Sequence, residues 1–585
     1  MKKLLLIIFV FFPNIIIASE ISIIELHATK SLDQLVLDQN DEEFNNNEII
    51  ENDDPDENTE INNEDNIEIV NDTVTISNFW DLINLEQTSI YFDNINLIKS
   101  PILYNEFIKI LTDFNYDIDS DEKNKKAYYF IKKLVELGEI QKAYNLVNVI
   151  QFSEDDENII FYKTIKLNYL FSTYQLKEVC DLKKEFNDQK IKLQDYYLEK
   201  TDIFCLVMEQ KLDEANLLNS LLLEVEVNSD EYFQNLLNIL MDYENSDSKL
   251  ISILPENYSK NLIFLYSAML RIAELPLNEK FLEIDPNNLS IPIILSNSTP
   301  IELRLKAANK AYLNKLISIE SIAALYQSVD FNSDDLNDPI KTIDRLGNNN
   351  ELIMAYYFQL ANIQIFPSSR LEVLIDFWQF AEKVGLEKLS YNLTSNIISS
   401  IEPSEDSVGS GVKIATALIY NENYERASKW IVFIENSNLA NQDIEKVKLL
   451  FDLYQSEDTQ KILEYINNNY EKLTKNSNIN IKELAYVTLN LLGQENNYKD
   501  ILIFDKVMDD RKVPTFYITS RIEEFILTKN EFNLFMILLV SVDQKNWTEI
   551  HPKHLQLFLK GIQNYKNSEL LKPTLINIFE NYEIF

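Results

Sequence analysis

Three histidines, two cysteines and seven glycines are all that this 585-residue chain offers to the commonest site chemistries. His551-Pro552-Lys553-His554 sets two imidazoles within one helical turn, the spacing of a two-ligand metal grip. No Cys or third His stands nearby to complete the coordination, so a water-exposed helix start is expected there; His27 lies far off near the amino terminus. Gly409-Ser410-Gly411 is the one Gly-x-Gly, but it lacks a third Gly, a preceding strand and the Lys-Ser/Thr pair of a phosphate cradle. The acidic pairs Asp509-Asp510 and Glu523-Glu524 are chain neighbours, which diverge around a helix and cannot share a proton. No nucleophile elbow, Ser-x-x-Lys or zinc-helix pattern occurs. These residues assign no catalytic, cofactor-binding or metal-ligating site and no cofactor.

Cys180 and Cys205 are the only cysteines. On antiparallel helices turning near Asp188, Cys205 falls about 10 Å along the axis from the point opposite Cys180, at 1.5 Å rise per residue. A bridge needs Cα atoms within about 7 Å. Two buried free thiols are therefore expected, with a disulfide as the alternative that export would favour. Trp378 and Trp430, near Phe377, Phe380 and Phe433, recur at helical spacing and read as core, with a peptide or glycan groove as the other use. Lys123, Lys125, Lys126, Lys132 and Lys133 form a basic cluster, read as a solvated edge or a seat for an acidic arm.

Charge narrows the partners. With 53 Lys plus Arg against 94 Asp plus Glu the net charge is -41, which argues against nucleic acid and anionic lipid. Ser31 to Ile98 holds 19 acidic residues and no Lys or Arg. Residues 19–76 are expected to be a disordered acidic segment, too poor in apolar side chains to offset chain entropy. Ahead of it, Met1-Lys2-Lys3, the apolar run Leu4 to Phe12 and Ala18-Ser19 have the layout of a signal peptide, residues 1–18. Ile16 at the minus-three position leaves an uncleaved anchor as the alternative. The longest later apolar run, Leu534 to Val542, is too short to span a bilayer. The mature chain is expected to be exported and periplasmic in a bacterial cell envelope, with no integral span.

From Ser77 onward apolar residues return at three- and four-residue steps, broken by Asn, Asp and Ser turns, which predicts an all-α chain. Three units align at 36 residues: Ile131, Leu167 and Ile203 share a column, as do Leu134, Leu170 and Leu206, and Ala143, Val179 and Ala215. Such a period means stacked helical hairpins. Gly138-Glu139-Ile140-Gln141-Lys142-Ala143 resembles the helix–turn–helix junction of the tetratricopeptide repeat. Gln210 to Ala215 and Glu422 to Ala427 keep its apolar and Ala positions but lose the Gly. The family's first-helix aromatic and closing Pro are missing, and the period is 36 where the family has 34. The resemblance implies a helical superhelix, or solenoid, that binds proteins or peptides.

Five prolines between Pro255 and Pro300 mark a joint. The expected units are thus an amino-terminal solenoid over 77–254, a joint over 255–300 and a carboxy-terminal solenoid over 301–585. Hairpins are predicted from Ile301 to Ser328, Glu351 to Val384 and Val412 to Glu435, with an exposed loop over Glu402 to Gly411. The expected role is an exported, non-enzymatic scaffold binding another envelope protein or peptide. The alternative is a cell-wall lytic enzyme of the superhelical soluble transglycosylase type, although the last 200 residues lack its Glu-Ser and Gly- and Met-rich segments.

Overall fold

The computed structural model describes residues 84–584 except 114–120, 151, 154, 187–192, 227, 242–258, 438–441, 456–478 and 492–508. The signal peptide (1–18) and the acidic segment (19–76) lie outside the described residues, as do 255–258 of the proline-rich stretch.

The described residues are all-helical, with no strand among them. In order, α1 is Leu85–Asp93, α2 Pro101–Thr112, α3 Asp121–Glu136, α4 Ile140–Ile150, α5 Ile159–Ser172, α6 Leu176–Lys184, α7 Tyr197–Met208, α8 Leu212–Val225 and α9 Glu231–Met241. Next come α10 Lys260–Ile272, α11 Glu279–Ile284, α12 Pro286–Leu295, α13 Ile301–Leu313, α14 Ile319–Gln327, α15 Ser333–Asn337, α16 Pro339–Leu346, α17 Asn350–Ile363, α18 Pro367–Lys383 and α19 Glu387–Leu393. The chain finishes with α20 Ser395–Ile398, α21 Gly411–Tyr420, α22 Tyr424–Glu435, α23 Gln442–Gln455, α24 Ile479–Leu491, α25 Phe516–Thr528, α26 Glu531–Val542, α27 Pro552–Gln563 and α28 Leu571–Asn581. The three predicted hairpins are thus α13 with α14, α17 with α18 and α21 with α22.

The 36-residue period has a backbone cause. Gly138, Tyr174 and Gln210 all take positive φ, at 83°, 63° and 61°. After each, the next N–H turns back to the carbonyl five residues earlier: Glu139 to Leu134 at 2.8 Å, Gln175 to Leu170 at 2.8 Å and Lys211 to Leu206 at 2.9 Å. This left-handed cap ends one helix and aims the chain antiparallel into the next. Glu422 (φ 58°) repeats it, with Asn423 bonded to Leu418 at 2.9 Å. Ala143, Val179 and Ala215, which open the second helix of each unit, are fully buried.

Glycine survives at 138 for a second reason. A Cβ there would meet Asn287 Nδ2 at 2.9 Å. The Asn287 and Asn288 side-chain amides donate to the carbonyls of Leu137 (3.3 Å) and Gly138 (3.0 Å), docking this turn onto α12. Where no helix crowds the turn, a non-glycine holds the left-handed conformation at a cost of about 1 kcal/mol. Replacing the exposed Glu422 by Gly is therefore expected to stabilise the chain by about 0.5–1 kcal/mol, read as a higher urea midpoint. A lower midpoint would mean that the Glu422 side chain contributes more than its backbone strain removes.

The proline-rich stretch folds into short helices. Pro286 occupies the first turn of α12, where no N–H is needed, and Asp285 caps it by accepting from the N–H of Asn288. The α10 and α12 helices pack on α5. Their buried Leu265, Met269, Leu289 and Ile293 belong to one apolar core that runs from Ile140 to Leu450.

A second core joins the two ends of the described chain. It combines Phe92, Phe107, Phe130 and Leu134 with Phe535, Phe558, Leu575 and Phe579. Helix α28 packs on α2, and α26 on α1. Polar ties follow the same seam: Asp543 Oδ1 accepts from the N–H groups of Asn96 (2.8 Å) and Leu97 (2.9 Å), and Ser100 Oγ donates to Asn577 Oδ1 at 3.0 Å. Glu106, buried on α2, accepts from Tyr565 Oη at 2.7 Å and from Lys566 Nζ at 2.6 Å.

The expectation of free thiols is corrected. Cys180 on α6 and Cys205 on α7 form a disulfide, with Cα atoms 5.5 Å apart. Helix α6 stops at Lys184 and α7 starts only at Tyr197, after left-handed Asp195 and Tyr196, so the helices pair in a different register.

Candidate functional site

Helix α18 begins at Pro367, whose fixed φ suits a first turn. It buries Leu371, Leu374, Phe377, Trp378 and Ala381 against neighbouring helices. Steps of three and four bring Glu372, Ile375, Asp376, Gln379 and Glu382 onto its other side, and these line a groove in two arms. Ile375 and Ser410 line both arms, so the two arms adjoin.

The wide arm encloses about 980 Å³ between the start of α18 and the segment Ser400–Ser410. Leu371, Ile375 and Ile401 supply its apolar surface. Glu372, Asp376, Glu402 and Asp406 supply four carboxylates, and no Lys or Arg lines it. Arg426 reaches Glu402 at 3.1 Å. Glu372, Asp376 and Asp406 have no ion-pair partner among the described residues. Partial burial, and then the Glu372 charge one turn away, push the Asp376 carboxyl above its ordinary range.

The narrow arm, about 550 Å³, is lined by Glu382 and Glu387, by Lys413 and Lys446, and by the rings of Tyr391 and Tyr420. Lys413 pairs with Glu382 at 2.9 Å. The two rings stack with centroids 5.8 Å apart. Tyr391 donates to Glu387 Oε1 at 2.5 Å. Tyr420 and Tyr454 each donate to Glu580 Oε1 at 3.3 Å, and Lys388 Nζ meets the same oxygen at 2.7 Å. Burial, reinforced by these carboxylates, pushes all three phenols well up, so they are neutral donors and not bases. Glu580 thereby ties α28 to the helices that wall the groove.

The residues singled out in the sequence do not meet in one place. Trp378 is fully buried and donates to Thr394 Oγ1 at 3.1 Å, and Trp430 is equally buried, so both are core. Gly411 opens α21 against Trp430, and a Cβ there would lie 2.7 Å from Ile434 Cγ1. Within the stretch expected as an exposed loop, Glu405–Ser410 forms a short 3-10 helix with Ser407 buried, while Glu402 to Ser404 carry no helix and Glu402, Ser404, Glu405, Asp406 and Gly409 are exposed. Lys133, read as part of a solvated basic edge, is buried and donates to the Phe92 carbonyl at 2.7 Å. Asp509 is held down at about 2 by hydrogen bonds from Arg511, and Glu524 pairs with Arg521. The side chain of Lys123 lies outside the described residues. Gly409, Ser410 and the start of α18 could have pointed to the groove, and none of them carries a distinctive spacing.

The two histidines diverge. His551 caps α27, its Nδ1 accepting from the N–H of Lys553 at 3.1 Å, while its Nε2 faces Asp509 at 3.7 Å. His554, expected to be exposed, is fully buried with Nε2 3.1 Å from Ser541 Oγ. No metal-holding group of side chains occurs among the described residues. Burial, and then Lys545 and His551, pull the His554 pKa from 6.5 to about 3. Folded His554 is neutral, whereas the unfolded chain protonates below pH 6.5, so folding stability contributed here is full above 6.5 and falls as pH drops toward 3. At pH 5 the loss is about 2 kcal/mol. His554→Leu should flatten the acid limb of a stability profile between pH 7 and 5; a parallel limb would place the sensitivity elsewhere.

No helix among the described residues is long and apolar enough to cross a membrane. Comparison of the chain with family models, with curated proteins and with solved structures returns no match.

Proposed function

We propose that this chain is an exported, non-enzymatic interaction protein of the bacterial periplasm, built as a tetratricopeptide-like superhelix whose two ends meet, and that it binds a segment of another envelope protein in the groove along α18. The observation that carries the reading is that groove: open, with Leu371, Ile375 and Ile401 set beside Glu372, Asp376 and Asp406, which have no ion-pair partner among the described residues. Stacked hairpins suit such a role because neighbouring repeats make an extended surface without a catalytic constellation. The recurring left-handed turns support the repeat reading. The Cys180–Cys205 bridge supports export, since disulfides persist in oxidising compartments.

The test is in vivo crosslinking in the native envelope. A photo-reactive residue at exposed, groove-lining Gln379 should capture one or two stoichiometric envelope proteins, identified by mass spectrometry, and the same residue at Glu224 on α8 should not. Equal capture from both positions would sink the groove. Peptidoglycan fragments in place of protein would replace this reading by the lytic-enzyme one, for which Asp376, its carboxyl raised beside Glu372, is the groove's nearest approach to a general acid.

A further inference from the structure

The groove's chemistry narrows the partner further. Glu372 and Asp376 stand at i and i+4 on α18, where like charges repel and destabilise a helix. Asp406, on the Ser400–Ser410 segment, lines the same wide arm. Elsewhere the chain gives several such groups a cation: Lys109 and Lys566 lie by Asp113, Lys260 by Asp285 and Lys448 by Asp452. In the wide arm only Glu402 has one, Arg426. Three carboxylates beside apolar Leu371, Ile375 and Ile401, with no counter-charge among the described residues, form a pattern that a ligand carrying basic and apolar groups complements. Polarity changes at Ile375 and Ser410, because the narrow arm brings Lys413 and Lys446 among its lining. Just ahead of α18, Ile365 (80% exposed) and Phe366 (69% exposed) present apolar side chains to solvent.

We propose that the wide arm of the α18 groove is a docking site for an extended peptide segment bearing Lys or Arg side chains alternating with apolar ones, the basic groups meeting Glu372, Asp376 and Asp406 and the apolar ones meeting Leu371, Ile375 and Ile401. Alternation suits an extended strand, whose successive side chains point to opposite sides. The inference rests on the interaction reading above but fails separately from it. A protein crosslinked through Ser368, exposed and lining the wide arm, that has no basic segment at the crosslink leaves that reading standing and removes this one.

The direct test is fluorescence anisotropy of the full chain with a labelled nonapeptide of alternating Lys and Leu, and with its Glu–Leu counterpart. The Lys peptide should bind and the Glu peptide should not, with affinity falling as salt rises. The triple variant Glu372→Gln, Asp376→Asn, Asp406→Asn should weaken binding about tenfold, the combined effect of three partly exposed ion pairs. A second triple variant, Asp213→Asn, Glu214→Gln, Glu224→Gln on α8, removes the same charge elsewhere and should change affinity by less than about twofold. Equal losses in the two variants would show a response to net charge alone and overturn the site. Binding of the Glu peptide, or unchanged affinity in the groove variant, would overturn it as well. All substituted side chains are exposed, so folding is expected to be retained; matched urea midpoints check it.

Discussion

Glu106→Ala is expected to destabilise the chain by about 3–5 kcal/mol, the range for removing one partner of a buried ion pair. Glu106 lies on α2 near the start of the described chain, and its donors, Tyr565 and Lys566, lie about 460 positions later, just before α28. The pair is mostly sequestered, with side-chain exposures of 18% for Lys566 and 9% for Glu106. Taking away the carboxylate leaves the part-buried Lys566 ammonium and the buried Tyr565 phenol without their shared acceptor. Glu106→Gln, which keeps the volume and one acceptor oxygen, should lose about half as much. Equilibrium urea unfolding followed by Trp547 and Trp378 fluorescence reads both variants. Trp547 sits in the second core and Trp378 in the first, so a separate early transition at Trp547 would show that the seam opens on its own. A loss below about 1 kcal/mol from Glu106→Ala would mean that apolar packing alone holds the ends together.

Removing the disulfide is the second large effect. Cys180 and Cys205 are separated by 25 residues. By the loop-entropy relation, closing a loop of that length in the unfolded chain contributes about 3.5 kcal/mol at 25 °C. The double variant Cys180→Ser, Cys205→Ser should lower the urea midpoint accordingly, and wild type in reductant should match it. Alkylation gives an independent reading: no thiol should react in the denatured, unreduced chain, and two should react after reduction. Two reactive thiols before reduction would remove the bridge and, with it, one support for an oxidising compartment.

How far the sequence could be read depends on the range of each interaction. Helix boundaries follow from local chemistry: apolar steps broken by polar turns placed the hairpins Ile301 to Ser328, Glu351 to Val384 and Val412 to Glu435 close to the observed limits of α13 with α14, α17 with α18 and α21 with α22. The 36-residue columns were legible because each hairpin buries the same positions of its own unit. The groove was not, because α18 meets the Ser400–Ser410 segment through contacts that no local period records. His554 misled for a similar reason, since its burial is set by Ser541 on α26 and not by its own helix.

Periodicity, turn residues and charge therefore determined by themselves that this chain is helical, arranged in hairpins and strongly acidic, because those properties arise between residues at most a few turns apart. Tertiary structure alone decided that the first described helices seat on the last, that Cys180 meets Cys205, that Gly138 lies under Asn287, and that three carboxylates without counter-charge share one groove. These outcomes depend on the register and direction of packing between distant helices. Small differences in loop length, such as the stretch from Glu185 to Tyr196, set that register and leave no mark in the pattern of apolar residues.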